Sequence, residues 1–397
     1  MNKVIYIFTQ GISRKNGGSS SIVDLANNII ELGYEVKVFT PFGFMDRYIY
    51  KPTDVSEKLK IKVLKNKIYK TKNPSIKKNI LNKILDFLSL FNGINIKNSV
   101  VVDAMGLPFD FIEKLKSNGC KVIYNHAGSP NAAMKYFGMN GAKRDDMQKA
   151  KKEYLEMINH YSYILFQSPT QAQELYQLAN WKEDKTVVLR PSASLSDIEK
   201  VKDQASILDR NDFNIVIVGS VQERKGQHLL PKISKILSES ADNIKFHIVG
   251  NTMSTDYKLR VEQDSENLGQ KEKVIFQGFK SNYLEYMNSA DVILQVSEEE
   301  GVSRILREAM ALRKMIISFR LDGTNDLLVD GEDCLLSEYG DIENIAHDIL
   351  KVHNNKELRE NYALKALENF EAKYSKKEYL RQLENIIKKV SNNESRK

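Results

Sequence analysis

The residue types best placed to do chemistry fall in one stretch, Gln295-Val296-Ser297-Glu298-Glu299-Glu300-Gly301-Val302-Ser303-Arg304-Ile305-Leu306-Arg307-Glu308-Ala309-Met310. Glu300 and Glu308 are eight positions apart. On a helix that separation is about two turns. Glu300 can then stay in a loop while Glu308 sits lower on the helix, and the two carboxylates reach one ligand from different sides. Ser303 is placed to cap the helix, because its hydroxyl can accept a first-turn backbone N–H that has no partner within the helix. The N–H groups of Val302, Ser303 and Arg304 would point out of the helix start and form an anion site.

These residues need elements to hold them. Residues 291–296 form a largely apolar run and read as a buried strand; residues 315–319 read as the next one. Ile305, Leu306, Ala309, Met310 and Leu312 give the intervening helix an apolar side. The same alternation recurs along the chain. Strands are expected at 3–8, 35–40, 99–103, 121–125, 163–167, 186–189, 214–218, 245–249 and 274–276. Helical patterns over 21–32, 108–117, 145–160, 168–179, 227–238, 257–268 and 281–289 separate them, and three more close the chain at 342–354, 356–370 and 379–390. Strand and helix in turn imply parallel sheets covered on both faces. An irregular polar connection from 190 to about 212 suggests two domains, 1–195 and 205–397. Residues 41–98 are the least regular part. Functional loops belong at the carboxyl ends of such strands. There stand Gly17-Gly18 at the entrance of the first helix, His126 after strand 121–125, and the loop Gly219 to Gly226 with Arg224 and Lys225.

Glu300-Gly301 and Glu308-Ala309-Met310-Ala311 resemble the Glu-x7-Glu signature of retaining GT-B glycosyltransferases of the family 4 type, the glycosyl transferases group 1. The resemblance covers nearly the whole chain, and is specific in the second half and loose in the first. It implies an α/β GT-B fold: two Rossmann-like domains facing across a cleft, with a C-terminal helix crossing back to the first. The first domain would take the acceptor and the second a nucleotide-diphosphate sugar, UDP-linked. The implied reaction is hexosyl transfer with retention of configuration and no dedicated protein nucleophile. By the same resemblance Glu300 grips a sugar hydroxyl and steadies positive charge near the anomeric carbon. Glu308 accepts from the ribose hydroxyls. The amides of Val302, Ser303 and Arg304, with Lys225, hold the diphosphate. Gly18 lies close to that diphosphate, and His126 contacts the donor sugar. Lys225-Gly226 matches the family's Gly-Arg-(four residues)-Lys-Gly loop, with one departure: Ser220 stands where arginine is usual. Arg224 or Arg304 could supply the missing charge. Gly323 matches a glycine turn near the sugar, and Asp326 stands where glutamate is usual. No metal or other cofactor is expected, since these positive groups take the part a metal plays in other transferases. Ser220 also leaves open a catalytically inactive GT-B subunit that binds acceptor, though intact Glu300, Glu308 and Lys225 oppose it. A GT-B epimerase or phosphorylase is a third reading.

Composition bounds these readings. A chain of 397 residues exceeds one typical core. Its two cysteines, Cys120 and Cys334, have no metal or disulfide spacing, and no Asp-x-Asp motif occurs. There is no run of eighteen apolar residues and no signal-peptide core in the opening MNKVIYIFTQ, so a cytoplasmic location is expected. Between Lys58 and Leu85 lie ten lysines and no carboxylate, so without that segment the net charge of +7 would be −3. The segment has no arginine and one aromatic, Tyr69, which serves nucleic-acid bases poorly. It runs into the apolar stretch 80–90. That combination suits peripheral contact with an anionic membrane, an anionic polymer acceptor, or a plain solvated face beside a core helix. The expected partners are thus the nucleotide-sugar donor and a glycan, lipid-linked or anionic polymer acceptor, with no nucleic acid.

Overall fold

The computed structural model describes residues 4–9, 17–40, 60–63, 96–126, 128–135, 146–178, 181–193 and 195–392. The chain divides into two compact units, Met1–Arg190 with Leu380–Lys397, and Pro191–Tyr379.

Among the described residues the first unit carries seven strands: β1 Val4–Thr9, β2 Glu35–Thr40, β3 Lys60–Val63, β4 Val100–Ala104, β5 Lys121–Asn125, β6 Tyr163–Phe166 and β7 Thr186–Val188. They form one sheet in the order β3-β2-β1-β4-β5-β6-β7, and every pairing is parallel. Helices α1 Gly17–Glu31, α2 Phe109–Ser117, α3 Pro130–Lys135, α4 Met147–Asn159 and α5 Pro169–Leu178 connect them. A parallel strand covered on both faces needs an unbroken apolar run, and β1 and β6 supply one. The strand β3 was not expected from sequence. Its Lys-Ile-Lys-Val alternation has the right period, but it sits in a lysine-rich segment that reads as polar. Of that segment the described residues include only β3; the other lysines and the apolar stretch 80–90 lie outside them.

The second unit repeats the plan with β8 Phe213–Val218, β9 Ile244–Val249, β10 Val274–Gly278, β11 Val292–Gln295, β12 Met315–Phe319 and β13 Leu335–Ser337. Their order is β10-β9-β8-β11-β12-β13, again parallel throughout. The helices are α6 Leu195–Lys202, α7 Leu230–Leu237, α8 Thr255–Asn267, α9 Tyr283–Ser289, α10 Arg304–Ala311, α11 Asp322–Asn325, α12 Ile342–His353 and α13 Lys356–Lys373. The final helix, α14 Lys376–Asn392, begins in this unit and passes into the first. Alternate strand residues feed two cores. Ile215, Ile217, Phe246, Ile248 and Leu294 point to one face, and Val216, Val249, Ile293 and Ile316 to the other. Residues 195–202, expected as irregular chain, are helical instead. Ile198 and Val201 of α6 are buried in the second of these cores, and this short apolar side was hidden in an otherwise polar segment.

In each sheet the strand order reverses once, between β1 and β4 and between β8 and β11. That switch point is where an open parallel sheet leaves a crevice at its carboxyl ends. Because β8 and β11 are hydrogen-bonded neighbours, the loops that follow them meet.

Candidate active site

The loop after β8 brings Arg224 and Lys225; the loop after β11 brings Ser297 to Gly301. A backbone hydrogen bond from Glu298 N to the Arg224 carbonyl, 2.9 Å, ties the two together. Gly226 makes the approach possible. It has φ +72°, and a Cβ there would lie 1.8 Å from the Val296 carbonyl oxygen. The sequence reading matched this glycine, with Lys225, to the family's loop; the structure shows it packing one loop on the other. Gly323 does the same for the loop from above: a Cβ would stand 2.0 Å from the Gly301 carbonyl oxygen. This glycine is the second residue of the one-turn α11, where a glycine turn was expected.

On this base the polar groups converge. Lys225 Nζ forms an ion pair with Glu300 Oε1, and both side chains are largely shielded from solvent. Ser297 Oγ donates to the same oxygen at 2.8 Å. Arg224 Nη1 donates to the Glu299 carbonyl at 2.7 Å and stands 3.8 Å from Glu300 Oε2. Ser220, at the position of the missing arginine, brings no charge: its hydroxyl accepts from Gln222 Nε2 and its carbonyl from Gln227 Nε2. Of the two arginines considered for that charge, Arg224 lies beside Lys225, whereas Arg304 turns to Glu308. A small cavity between the ends of β8 and β11 is lined by Gly219, Lys225, Gln227, Gln295 and Ser297 among others. Two polar atoms of these residues, Gln227 Oε1 and Gln295 Nε2, are buried with no hydrogen-bond partner among the described residues.

Helix α10 begins as the sequence implied. Ser303 is its N-cap and accepts from Leu306 N at 3.4 Å, while its hydroxyl donates to Gln295 Oε1 at 2.7 Å. Val302 is buried at the helix entrance. Leu306, Ala309 and Met310 enter the core. Glu308 goes in with them and is only 1% exposed. Its Oε1 accepts from Arg304 Nε at 2.7 Å and from Tyr283 Oη at 2.9 Å. Its Oε2 is buried with no hydrogen-bond partner among the described residues. Burial, and next the nearby Glu308 carboxylate, push the Tyr283 phenol well above its ordinary range. Arg307, also buried, donates to the Ser192 carbonyl and so fastens α10 to the start of the unit.

His126 belongs to the first unit, directly after β5. It is 3% exposed and packed among the rings of Tyr124, Tyr154 and Phe166. Its Nε2 lies 2.9 Å from Tyr154 Oη, and Gly128 N lies 3.4 Å from its Nδ1. Burial lowers its pKa to about 4, so the ring is neutral at physiological pH. A neutral imidazole there can offer or accept a hydrogen bond but brings no charge. Gly18 lies in the first turn of α1, and the loop before it lies outside the described residues. Tyr283, Ser297 and Gln295 were missed by sequence reasoning. None carries a motif, and Tyr283 reaches the site from a separate helix, α9.

A wider depression of about 620 Å³ opens at the opposite, amino end of the second sheet, by Phe213, Asn214, Asp291, Lys314 and Arg359. Two of its cations, Lys314 and Arg359, have structural duties. Lys314 donates to the carbonyl of Asn288 near the end of α9, and Arg359 to that of Val352 near the end of α12. They offset the negative ends of those helices, so the chemistry is assigned to the carboxyl end.

Among the described residues no group of three or more His, Cys, Asp or Glu could hold a metal ion. None of the described helices is long and apolar enough to cross a membrane.

Two parallel α/β sheets with this polar site at the second switch point define a GT-B architecture. The chain matches Anabaena HepE, solved in complex with UDP, over 98% of its length and 99% of that chain, with a TM-score of 0.72 at 16% identity. Residues 199–368 match the family model for glycosyl transferases group 1. It is 28% identical over 190 residues to the capsular polysaccharide biosynthesis glycosyltransferase CapM of Staphylococcus aureus, covering 48% of this chain and 50% of that protein. It is 23% identical over 255 residues to the poly(ribitol-phosphate) alpha-N-acetylglucosaminyltransferase of S. aureus strain COL, covering 60% and 51%. The matches thus span about half the length of these two relatives.

Proposed function

We propose that the protein transfers a hexosyl unit from a UDP-sugar to a bacterial glycan acceptor, with retention of configuration and without a metal ion. The observation that carries this is the convergence of Lys225, Arg224 and Ser297 on Glu300 at the end of β8 and β11, beside a helix start. Lys225, Arg224 and the amides of Val302, Ser303 and Arg304 bind the diphosphate. They stabilise the charge that grows on it as the glycosidic bond breaks, usually a large catalytic contribution. Glu300 then holds a sugar hydroxyl and the developing positive charge. Glu308 offers to the ribose its buried Oε2, which has no hydrogen-bond partner among the described residues. The departing phosphate accepts the proton of the attacking hydroxyl. Retention follows because that hydroxyl enters on the face the phosphate leaves.

The acceptor we favour is an anionic polymer or a lipid-linked glycan at the inner face of the membrane, matched by the lysines between 58 and 83. The named activity of the poly(ribitol-phosphate) relative supports the polymer arm. The inactive-subunit reading is not favoured, because Arg224 stands where a second cation is needed although Ser220 is not arginine.

The test is transfer from a panel of nucleotide sugars to polyol-phosphate polymer and to lipid-linked acceptors, with the product's anomeric configuration read by NMR. One UDP-sugar giving a retained linkage is the expected result. No transfer from any donor, with no nucleotide binding, overturns the assignment. Vesicle sedimentation separates the acceptor surfaces. Binding to phosphatidylglycerol vesicles that weakens with salt supports the membrane; equal recovery with neutral vesicles removes it.

A further inference from the structure

We infer that Tyr283 and Arg304 are positioning residues that fix Glu308 so that one carboxylate oxygen alone faces the nucleotide, making the site selective for ribose over deoxyribose. The inference rests on the proposed donor role of Glu308. The three side chains close a triangle. Tyr283 Oη and Arg304 Nε both donate to Glu308 Oε1, at 2.9 and 2.7 Å. Arg304 Nη2 donates to Tyr283 Oη at 3.3 Å. The two donors come from different helices, α9 and α10, so neither can follow the carboxylate if it turns. Tyr283 is itself anchored, with its ring packed against the core that holds Leu306 and Met310.

The consequence is an asymmetric carboxylate. Oε1 receives two donors, and Oε2 receives none among the described residues although it is buried. A buried carboxylate oxygen without a donor is costly, which marks it as a place where a ligand donates. An ionised carboxylate oxygen has two lone-pair sites. A ribose carries two neighbouring hydroxyls that can fill both, and a deoxyribose only one. Pinning Oε1 keeps Oε2 aimed in one direction, so the second hydroxyl is read and not compensated by rotation. Without the Tyr283 hydroxyl, Oε1 recovers a lone pair and the carboxylate is free to turn toward a single hydroxyl. Discrimination falls even though the carboxylate remains.

The experiment is calorimetric titration of the full chain with UDP and 2′-deoxy-UDP, in the wild type, Tyr283→Phe and Arg304→Gln. Wild type should prefer UDP about tenfold, the worth of one hydrogen bond to a charged group. Tyr283→Phe should narrow that preference to about threefold or less, chiefly through weaker UDP binding. Arg304→Gln should narrow it in the same direction and carries the comparison if the phenylalanine variant does not fold. A merely structural triangle would lower both affinities alike, so an unchanged ratio in both variants overturns the inference while the Glu308 assignment stands. A wild type that binds UDP and 2′-deoxy-UDP equally overturns the ribose role of Glu308 and the inference with it. A wild type that binds neither overturns the donor reading itself.

Discussion

Glu300 pairs with two cations, and this decides what its substitution should do. Its carboxylate occupies Lys225, with Arg224 and Ser297 close by. A diphosphate that needs Lys225 must displace it. Glu300→Gln removes the competing charge, so UDP should bind tighter by about fivefold, roughly the 1 kcal/mol of a modest ion pair. Sugar transfer should fall, because the group that steadies the reacting carbon is gone. Calorimetry and turnover check the two halves, and weaker UDP binding would remove the competition account. Lys225→Ala should lower turnover more than it weakens UDP binding, since charge on the leaving group grows toward the transition state. A Michaelis constant that rises at constant turnover would make Lys225 a binding residue only. Glu300, Glu308 and Lys225 were legible in the sequence because their spacing survives inside one strand–loop–helix unit each. Tyr283 was not, because its meeting with Glu308 depends on how α9 packs beside α10. Arg304 shows the same limit: its i to i+4 offset allows a pair with Glu308, but the sequence equally allowed it to face the diphosphate.

At the scale of elements, the site depends on how close two loops can come. Gly226→Ala places a methyl against the Val296 carbonyl at a left-handed backbone position. It should cost upward of about 2 kcal/mol and weaken UDP binding as well, because the loop after β8 moves away from the loop after β11. Gly269→Ala is the control: its φ is similar at +69°, but nothing stands within 4 Å of the added carbon. It should cost about 1 kcal/mol and leave UDP binding alone. Denaturant unfolding and calorimetry on both variants distinguish crowding from backbone strain. The start of α10, Lys225 and Arg224 also carry the metal prediction. If these groups hold the diphosphate, transfer should persist in excess EDTA; loss on chelation that manganese or magnesium restores would count against the arrangement. Most elements were readable because buried parallel strands need a continuous apolar run, as residues 215–218 supply. The misses included β3, which lies in a lysine-rich segment, the short elements α3, α11 and β13, and α6, whose few apolar residues stand in a polar segment and are recruited by packing, not by propensity.

The whole molecule carries one buried neutral imidazole in each unit, and together they set its response to acid. In the first unit His126 is ringed by Tyr124, Tyr154 and Phe166. In the second, His247 lies between Asn214 Oδ1, 2.9 Å from its Nε2, and Gln277 Nε2, 3.1 Å from its Nδ1. Burial lowers both pKa values to about 4. An unfolded histidine titrates near 6.5. Between those values the unfolded chain binds more protons than the folded one, so stability falls as pH drops from about 6.5 toward 4. Each imidazole is worth at most about 3 kcal/mol over that window. Buried carboxyls, of which Asp103 and Asp333 have pKa values raised by burial, act in the opposite sense. The comparison must therefore be between variants. His126→Gln and His247→Gln should each flatten the loss of stability between pH 6.5 and 4 relative to wild type. Because the two residues sit in separate cores, each substitution should act on the thermal transition of its own unit, and the double variant should combine both effects. Wild-type and variant curves that fall in parallel over this range would mean that the imidazoles are solvated enough to charge freely, and would remove this account of acid sensitivity.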